Sequence, residues 1–388
     1  MPTLTSPGPT VGVVGGGQLG RMMAEAASPL GVELVVLDPT PDCPAALPAR
    51  DHIVGAFDDE EGIRELARRA DVLTFEIELA DQSVLARVHE ETGTPVHPAP
   101  ETLEIIHDKL VQKRRLDRAG IPVPPFRRAD DAADVRAAIS EFGAPVMLKA
   151  RTGGYDGRGN VPVHDPADAA AALAELGGAA MVESFVDFER ELSVIAVQGE
   201  GETATFPIGE NRHEAEILRE TVVPARSSSS IEQQARRVAD GVLAELEGRG
   251  VFAIELFETA DGDVLVNEIA PRPHNSGHWT IEGAVTSQFE QHVRAVLGWP
   301  LGATERRGPT AMANVLGDVE EATVARLRNV ETVLSTPGAH LHWYGKREVR
   351  PLRKMGHVTV AGGSDSSAES VLATARDLRD DLTFLEGE

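Results

Sequence analysis

The sequence is short of cysteine, of lysine and of long apolar runs, and each shortage excludes something. Cysteine occurs once, at Cys43, so no intramolecular disulfide can form, and the chain suits a reducing cytoplasm. No stretch approaches the roughly 20 apolar residues of a membrane-spanning helix. The opening MPTLTSPGPT has neither a basic region nor an apolar core, so it is expected to be a short lead-in, not a signal peptide. Positive charge is scarce: the formal net charge is -25, and only five of the 37 basic residues are lysine, leaving 32 arginines. Such an acidic, lysine-poor surface resembles that of proteins from salt-loving organisms. It argues against a nucleic-acid partner, which would require a basic face. It also singles out Lys109, Lys149, Lys346 and Lys354 as residues retained for a purpose. The pattern G-x-x-x-x-G-K-[ST] is missing too, which excludes a P-loop.

What is present is enough for an enzyme of several domains. At 388 residues and 41% hydrophobic content, two or three cores are expected. The richest stretch is VLVNEIAPRPHNSGHWT at 264–280. Its apolar start reads as a buried strand, halted by Pro271 and Pro273. Polar groups at a strand end sit where α/β folds usually carry chemistry. There Glu268 offers a carboxylate for a hard cation and Arg272 a planar fork for an anion. The preceding run VFAIELFE at 251–258 alternates and places Glu255 among core residues. The turn signal Asp261-Gly262-Asp263 would fold the two runs into a hairpin that sets Glu255 beside Glu268. Adjacent carboxylates repel unless cations sit between them, which suits a Mg²⁺ site that also holds nucleotide phosphates.

Taken from its start, the chain begins with a strand at 11–14, the loop GGGQLG at 15–20, a helix to about 27, and a strand at 33–37 ending in Asp38. This matches the dinucleotide fingerprint of an NAD-dependent oxidoreductase, and equally a loop for another phosphate or a tight turn. Alternation continues to about residue 100 as a parallel doubly wound sheet. Glu76 and Glu78 follow a strand end, where they line a pocket or cap the next helix. One or two helices occupy 100–118, and the breaker at 120–125 leads into a second module. There a strand bearing Lys149 precedes a loop with four glycines in the seven positions 153–159. Its backbone N–H groups could close over phosphates. Strands are expected at 180–183, 191–197 and 203–208, and a helix at 231–246. Glu183-Ser184-Phe185-Val186 reads as an adenine slot with Glu191 for a ribose hydroxyl. Beyond a linker at 298–309, a small α+β piece carries Lys346, Arg347, Arg350, Arg353 and Lys354, a basic run in an acidic protein and a candidate anion site.

Together these stretches resemble the ATP-grasp carboxylate–amine ligases over nearly the whole chain. GGGQLGRM, TFEIE, GGYDGRGN, NEIAPRPHNSGHWT and YGKREVRPLRKMGH point to the branch that carboxylates an aminoimidazole ribonucleotide. The resemblance implies an α/β and α+β architecture: an N-terminal doubly wound domain (1–107), a central ATP-grasp domain (108–300, lid about 120–187) and a small C-terminal domain (301–388). It implies that the first βαβ unit does not bind NAD. Lys109 and Lys149 would contact ATP phosphates under a lid of Gly154, Tyr155, Asp156, Gly157, Arg158, Gly159 and Asn160. Glu183, Ser184, Phe185, Val186 and Glu191 would hold adenine and ribose, with His213 nearby. Glu255, Glu268 and Asn267 would carry Mg²⁺, with Mn²⁺ as the alternative metal. Tyr155, Asp156 and Arg158 would also meet the imidazole ribonucleotide, and Lys346 and Arg353 its phosphate. Arg272, His274 and Asn275 would surround bicarbonate and carry the chemistry. The implied partners are small molecules (ATP, bicarbonate, aminoimidazole ribonucleotide) and a second copy in a homodimer, in the cytoplasm and away from membranes. Competing readings are a formate-dependent glycinamide ribonucleotide transformylase, an NAD-dependent oxidoreductase and a non-catalytic binding protein.

Overall fold

The computed structural model describes residues 6–153 and 159–385. The chain opens with β1 (Thr10–Val14), α1 (Gln18–Ala27), β2 (Glu33–Asp38), β3 (Asp51–Val54), α2 (Glu60–Arg68), β4 (Val72–Phe75) and α3 (Gln82–Thr92). The four strands form a parallel sheet in the order β3-β2-β1-β4. β1, β2 and β4 are nearly continuous apolar runs because helices cover both faces. Asp59 and Asp81 cap α2 and α3 by accepting backbone N–H bonds, so Glu76 and Glu78 are free of that duty.

The helical region 100–118 resolves into α4 (Pro100–His107) and α5 (Lys109–Arg118). Asp108 breaks it with extended dihedrals, and its carboxylate accepts from the N–H groups of Leu110 and Val111. That break sets Lys109 on the first turn of α5. Next come β5 (Phe126–Ala129), α6 (Ala132–Phe142), β6 (Val146–Ala150), β7 (Asn160–Val163), α7 (Ala169–Leu176) and β8 (Ala180–Ser184). They build a small antiparallel sheet, β5-β8-β6-β7, with its own apolar cluster against α6 and α7.

The largest layer is a nine-stranded sheet. It contains β9 (Phe188–Gln198), β10 (Thr203–Thr205), β11 (Gly209–Glu214), β12 (Ile217–Val223), β13 (Gly250–Thr259), β14 (Val264–Ala270) and β15 (Thr310–Leu316). Strands Ala339–Trp343 and Lys354–Ala361 complete it. Helix α8 (Ser229–Ala244) buries Ile231, Ala235, Val238 and Val242 against one face.

Two features differ from the expectation. The strand expected over 203–208 stops at Thr205, and a hairpin of β11 and β12 occupies 209–223, which carried no strand signal because its first strand, GENRHE, is polar. The C-terminal piece is no separate layer: Val222 pairs with Ala311, so β15 and its neighbours extend the central sheet. The pairing removes an exposed edge on β12, and the apolar Ala311, Ala313 and Val315 bury against the final helix, Ala368–Asp381. Among the described residues, no helix is long and apolar enough to cross a membrane.

Candidate active site

The hairpin of β13 and β14 forms as its turn chemistry requires. Gly262 takes φ 83 at the turn, and Glu255 lies directly across from Glu268 in the ladder. Burial pushes the Glu255 carboxyl up, and the like charges of Glu268 and Glu191 add to it. Burial would raise Glu268 as well, but Lys109, whose Nζ donates to Oε1 at 3.0 Å, holds it below its ordinary value. Glu268 keeps 47% of its side-chain surface open to the cleft although many atoms crowd it, so it can still meet a ligand. No cluster of three or more His, Cys, Asp or Glu side chains suited to a metal exists among the described residues. Two facing carboxylates nevertheless fit Mg²⁺, which usually takes one or two from protein and completes its shell with phosphate and water.

Lysines flank this pair. Lys149, on β6, donates to Asn267 Oδ1 at 3.3 Å and lies 2.5 Å from Glu183 Oε2. Glu183 was expected to accept from adenine, but its side chain is 3% exposed and its other oxygen lies 2.8 Å from Lys113 Nζ. Burial alone would raise its pKa; the charges of Lys113 and Lys149 overcome this and bring it down to about 2. With both oxygens held, the carboxylate is a tether for lysines. That leaves Ser184, the half-exposed Phe185 and Val186 for a base. Glu191 and His213 pair directly, Nδ1 to Oε2 at 2.6 Å, and His213 Nε2 reaches to 4.0 Å from Glu255. Asn160, at the start of β7, donates to Glu216 Oε2 at 3.3 Å, and Gly159 adopts φ 92 beside it. The lid candidates Gly154, Tyr155, Asp156, Gly157 and Arg158 lie outside the described residues.

The loop after β14 faces the same cleft. Arg272 Nη2 lies 2.7 Å from Glu78 Oε1, so the N-terminal domain grips the arginine of the central one. His274 Nε2 stands 3.9 Å from Glu255 Oε1. Burial, then the charges of Arg272 and Lys354, hold its pKa well below the ordinary value, so it is neutral. Gln288 clamps the loop, accepting from His274 N at 3.0 Å and donating to His274 O at 2.7 Å. A Cβ at Gly277 would come within 2.3 Å of Gln288 Oε1, which explains the glycine. Asn275 is only 7% exposed, yet neither its amide nitrogen nor its oxygen has a partner within the protein. Such a group is costly unless a ligand or water satisfies it. His278 is fully buried with its ring tilted against that of His357, which stacks in turn on His342, and its Nε2 likewise has no partner within the protein.

The glycine loop 15–20 forms an anion-accepting turn, but the anion is internal. Glu76 accepts from the N–H of Gly17 and from that of Gly20 at 2.5 Å, while Asp38 accepts from Gly16 at 2.9 Å. A Cβ at Gly15 or Gly17 would strike Glu76. The donors that a dinucleotide pyrophosphate requires are therefore taken, and the acid expected to read a ribose is folded back onto the loop.

In the C-terminal basic run, Arg347 pairs with Asp42 at 2.7 Å and Arg350 with Glu348 at 2.9 Å, so these two are surface ion pairs. Lys346 Nζ donates to Lys354 O at 2.7 Å and sits 5.6 Å from the Tyr344 ring centre. Arg353 Nη1 donates to Glu348 O at 2.7 Å. Arg21 of α1 donates to Tyr344 O at 3.3 Å, so this loop abuts the glycine-loop helix. One site residue, Lys113, escaped the sequence reading, and Lys354 was singled out there only as part of the basic run. Lys354 acts electrostatically on Glu255, His213 and His274, and Lys113 lies buried behind Lys149. Lysine scarcity had already pointed to Lys354 and could have found Lys113 as well.

Comparison with known proteins agrees with this geometry. Residues 9–107 match a ribonucleotide synthetase preATP-grasp domain, 114–289 an ATP-grasp domain, and 310–371 a phosphoribosylaminoimidazole carboxylase C-terminal domain. The N5-carboxyaminoimidazole ribonucleotide synthase of Brucella melitensis is 43% identical over 361 residues, covering 92% of this chain and 97% of its own. The crystal structure of the corresponding synthetase from Thermotoga maritima superposes with a TM-score of 0.88 at 41% identity, over 98% of this chain and 100% of that one. That of the Aspergillus clavatus enzyme, in complex with ADP and 5-aminoimidazole ribonucleotide, gives 0.89 at 35% identity, over 97% and 100%.

Proposed function

Because the chain belongs to the N5-carboxyaminoimidazole ribonucleotide synthase family of ATP-grasp ligases, we propose that the cleft between its sheets carries out that family's reaction residue by residue as follows. The reaction is the ATP-dependent carboxylation of 5-aminoimidazole ribonucleotide to its N5-carboxyamino derivative in purine biosynthesis. Bicarbonate is the carbon source, and ATP turns it into carboxyphosphate. Bicarbonate itself is a poor electrophile, and transfer of the γ-phosphoryl group gives it a leaving group.

Lys109 and Lys149 neutralise the triphosphate, while Glu255 and Glu268, with Asn267 beside them, hold Mg²⁺, which supplies charge neutralisation for phosphoryl transfer. Backbone groups at 184–186 read the base, and Glu191 and His213 meet the ribose. Arg272, Asn275 and neutral His274 orient bicarbonate: the arginine supplies charge, the asparagine an unsatisfied amide, and the uncharged imidazole a ring N–H without the acidity that would protonate the amine. Lys346 and Arg353 receive the ribonucleotide phosphate, with Lys354 near the reacting centre. Water has to be kept from the intermediate, which it would destroy. The amine nitrogen then forms its bond to carbon as the carbon–oxygen bond to phosphate breaks, and the proton the amine gives up passes to the departing phosphate. Two copies form a homodimer in the cytoplasm.

The observation that carries the reading is the meeting of three sets of groups at one cleft: the facing carboxylates Glu255 and Glu268, the lysines 109 and 149, and the unpartnered Asn275. An ADP-release assay tests it. Release should require bicarbonate and rise on addition of aminoimidazole ribonucleotide. Release driven by formate and glycinamide ribonucleotide would overturn it.

A further inference from the structure

We propose that Lys113 is a positioning residue of the ATP site, acting through Glu183 on Lys149; this rests on the reading of Lys149 as a phosphate ligand. Lys113 is four positions along α5 from Lys109, hence on the same helix face, and it is 2% exposed. Its ammonium donates to Val266 O at 2.8 Å and lies 2.8 Å from Glu183 Oε1. Glu183 Oε2 holds Lys149, and Lys149 donates to Asn267, the residue after Val266. The contacts close a ring: Val266, Lys113, Glu183, Lys149, Asn267.

Two members of the ring stand on the small sheet and two on the large one. Glu183 pairs with Met147 on β6, so Lys149, two residues on, projects from the same face. Val266 and Asn267 belong to β14, whose next residue is the carboxylate Glu268. The ring therefore ties the strand that bears Lys149 to the strand that bears the metal ligands. Lys113 itself is walled in and cannot reach a nucleotide, so its effect passes through Glu183. Each oxygen of that carboxylate serves one lysine. Remove the Lys113 charge and the whole carboxylate falls to Lys149, which is drawn off the cleft, while Val266 O loses its donor. Burial, against the pull of Glu183, already lowers the Lys113 pKa to about 8, which marks how little solvent supports this cation.

The test is a double-mutant cycle of Lys113→Met and Glu183→Gln with Lys149→Met as reference. ATP binding in the presence of Mg²⁺ is measured by calorimetry, and the KM of each substrate by steady-state kinetics. Lys113→Met should raise the ATP Kd about ten- to a hundred-fold, the range for one charge-assisted contact, and leave the ribonucleotide KM within about twofold. Because both residues act through one carboxylate, the double variant should lose less than the product of the single losses by at least about threefold. A folded Lys113→Met protein with wild-type ATP affinity, or losses that multiply, overturns the proposal. Should Lys113→Met fail to fold, Glu183→Gln carries the test alone: it keeps both lysines, and an unchanged ATP Kd refutes the tether. If Lys149→Met itself binds ATP normally, it is the phosphate role of Lys149 that falls. If Lys149→Met weakens ATP and Lys113→Met does not, only the positioning role falls.

Discussion

Replacing Glu255 by glutamine should raise stability in the ligand-free protein and lose most of that gain when nucleotide is bound. In the ligand-free protein Glu255 faces Glu268 across an antiparallel ladder and is itself partly buried, with 18% of its side chain exposed. Directly opposed residues lie about 5 Å apart. Two unit charges at about 5 Å and an effective dielectric of about 20 repel by roughly 3 kcal/mol. Lys109 offsets part of this on the Glu268 side, and Lys354 part on the Glu255 side, so about 1–2 kcal/mol remains. Glu255→Gln removes that repulsion and should raise the apo melting temperature by roughly 1–3 °C in a chain of this size. With Mg·ATP most of that gain is cancelled. At a hundredfold excess over Kd the ligand stabilises the wild type by about 2.7 kcal/mol, and a tenfold weaker site leaves about 1.4 kcal/mol. Thermal melts with and without Mg·ATP, and with ATP plus chelator, read both effects in one experiment. A variant that melts lower than wild type when apo, yet keeps the full Mg·ATP shift, would refute both the strained-pair argument and the metal assignment.

Three further outcomes are expected. Arg353→Ala should raise the KM for aminoimidazole ribonucleotide about ten- to a hundred-fold, the loss of roughly 1.5–3 kcal/mol, and leave the KM for ATP unchanged; kinetics with each substrate varied in turn decides. Stability should fall as pH drops below about 6.5, the ordinary histidine value, because burial holds His274, His278 and His357 well below it, His292 at about 3 and His97 at about 4. These groups are neutral when folded and take up protons on unfolding, so each contributes up to about 1.4 kcal/mol per pH unit. His213 opposes them with its one share: burial lowers it, but Glu191 and Glu255 lift it above its ordinary value. A urea midpoint equal at pH 7.5 and 5.5 would contradict this. Finally, with a net charge of -25, the melting temperature should climb from 0.1 M to 1 M KCl as the Debye length falls from about 10 Å to about 3 Å, and a flat curve would remove the case for a salt-adapted surface.

What the sequence made legible was local. Strand, turn and strand at 251–270 are specified by alternation and by Asp261-Gly262, and the register that follows places Glu255 opposite Glu268. The parallel sheet of the first domain was equally plain, because buried strands and capped helices leave short-range patterns. The errors came where a partner lies far along the chain. The glycine fingerprint is genuine as backbone geometry, but its anion is Glu76, 59 residues from Gly17, and no spacing rule joins them. Glu183 carried the right charge for an adenine contact, and only the packing of α5 against β8 reveals that its oxygens are occupied. Glu78 could be placed on a loop but not on Arg272, 194 residues away. The hairpin of β11 and β12 was missed for a different reason. Both its neighbours are strands of the same sheet, so its polar residues are sheltered by the site they serve.

Lysine usage links these scales. In a chain whose cations are almost wholly arginine, four of the five lysines act on groups of the cleft and the fifth, Lys346, contacts one of them. Lys109 meets Glu268, and Lys113 and Lys149 share Glu183. Lys346 donates to the backbone of Lys354, whose charge reaches Glu255 and His274. Arginine is a planar fork of five donors that is satisfied by paired acceptors, and on this surface it finds them, as where Arg64 contacts Glu60, Glu61 and Glu91. Lys113 sits between one carbonyl and one carboxylate oxygen with no solvent at its back, a space that a compact ammonium fills and a guanidinium would overfill. Lysine is thus kept where a point charge has to be placed, and those places surround the facing carboxylates Glu255 and Glu268 and the loop that carries His274.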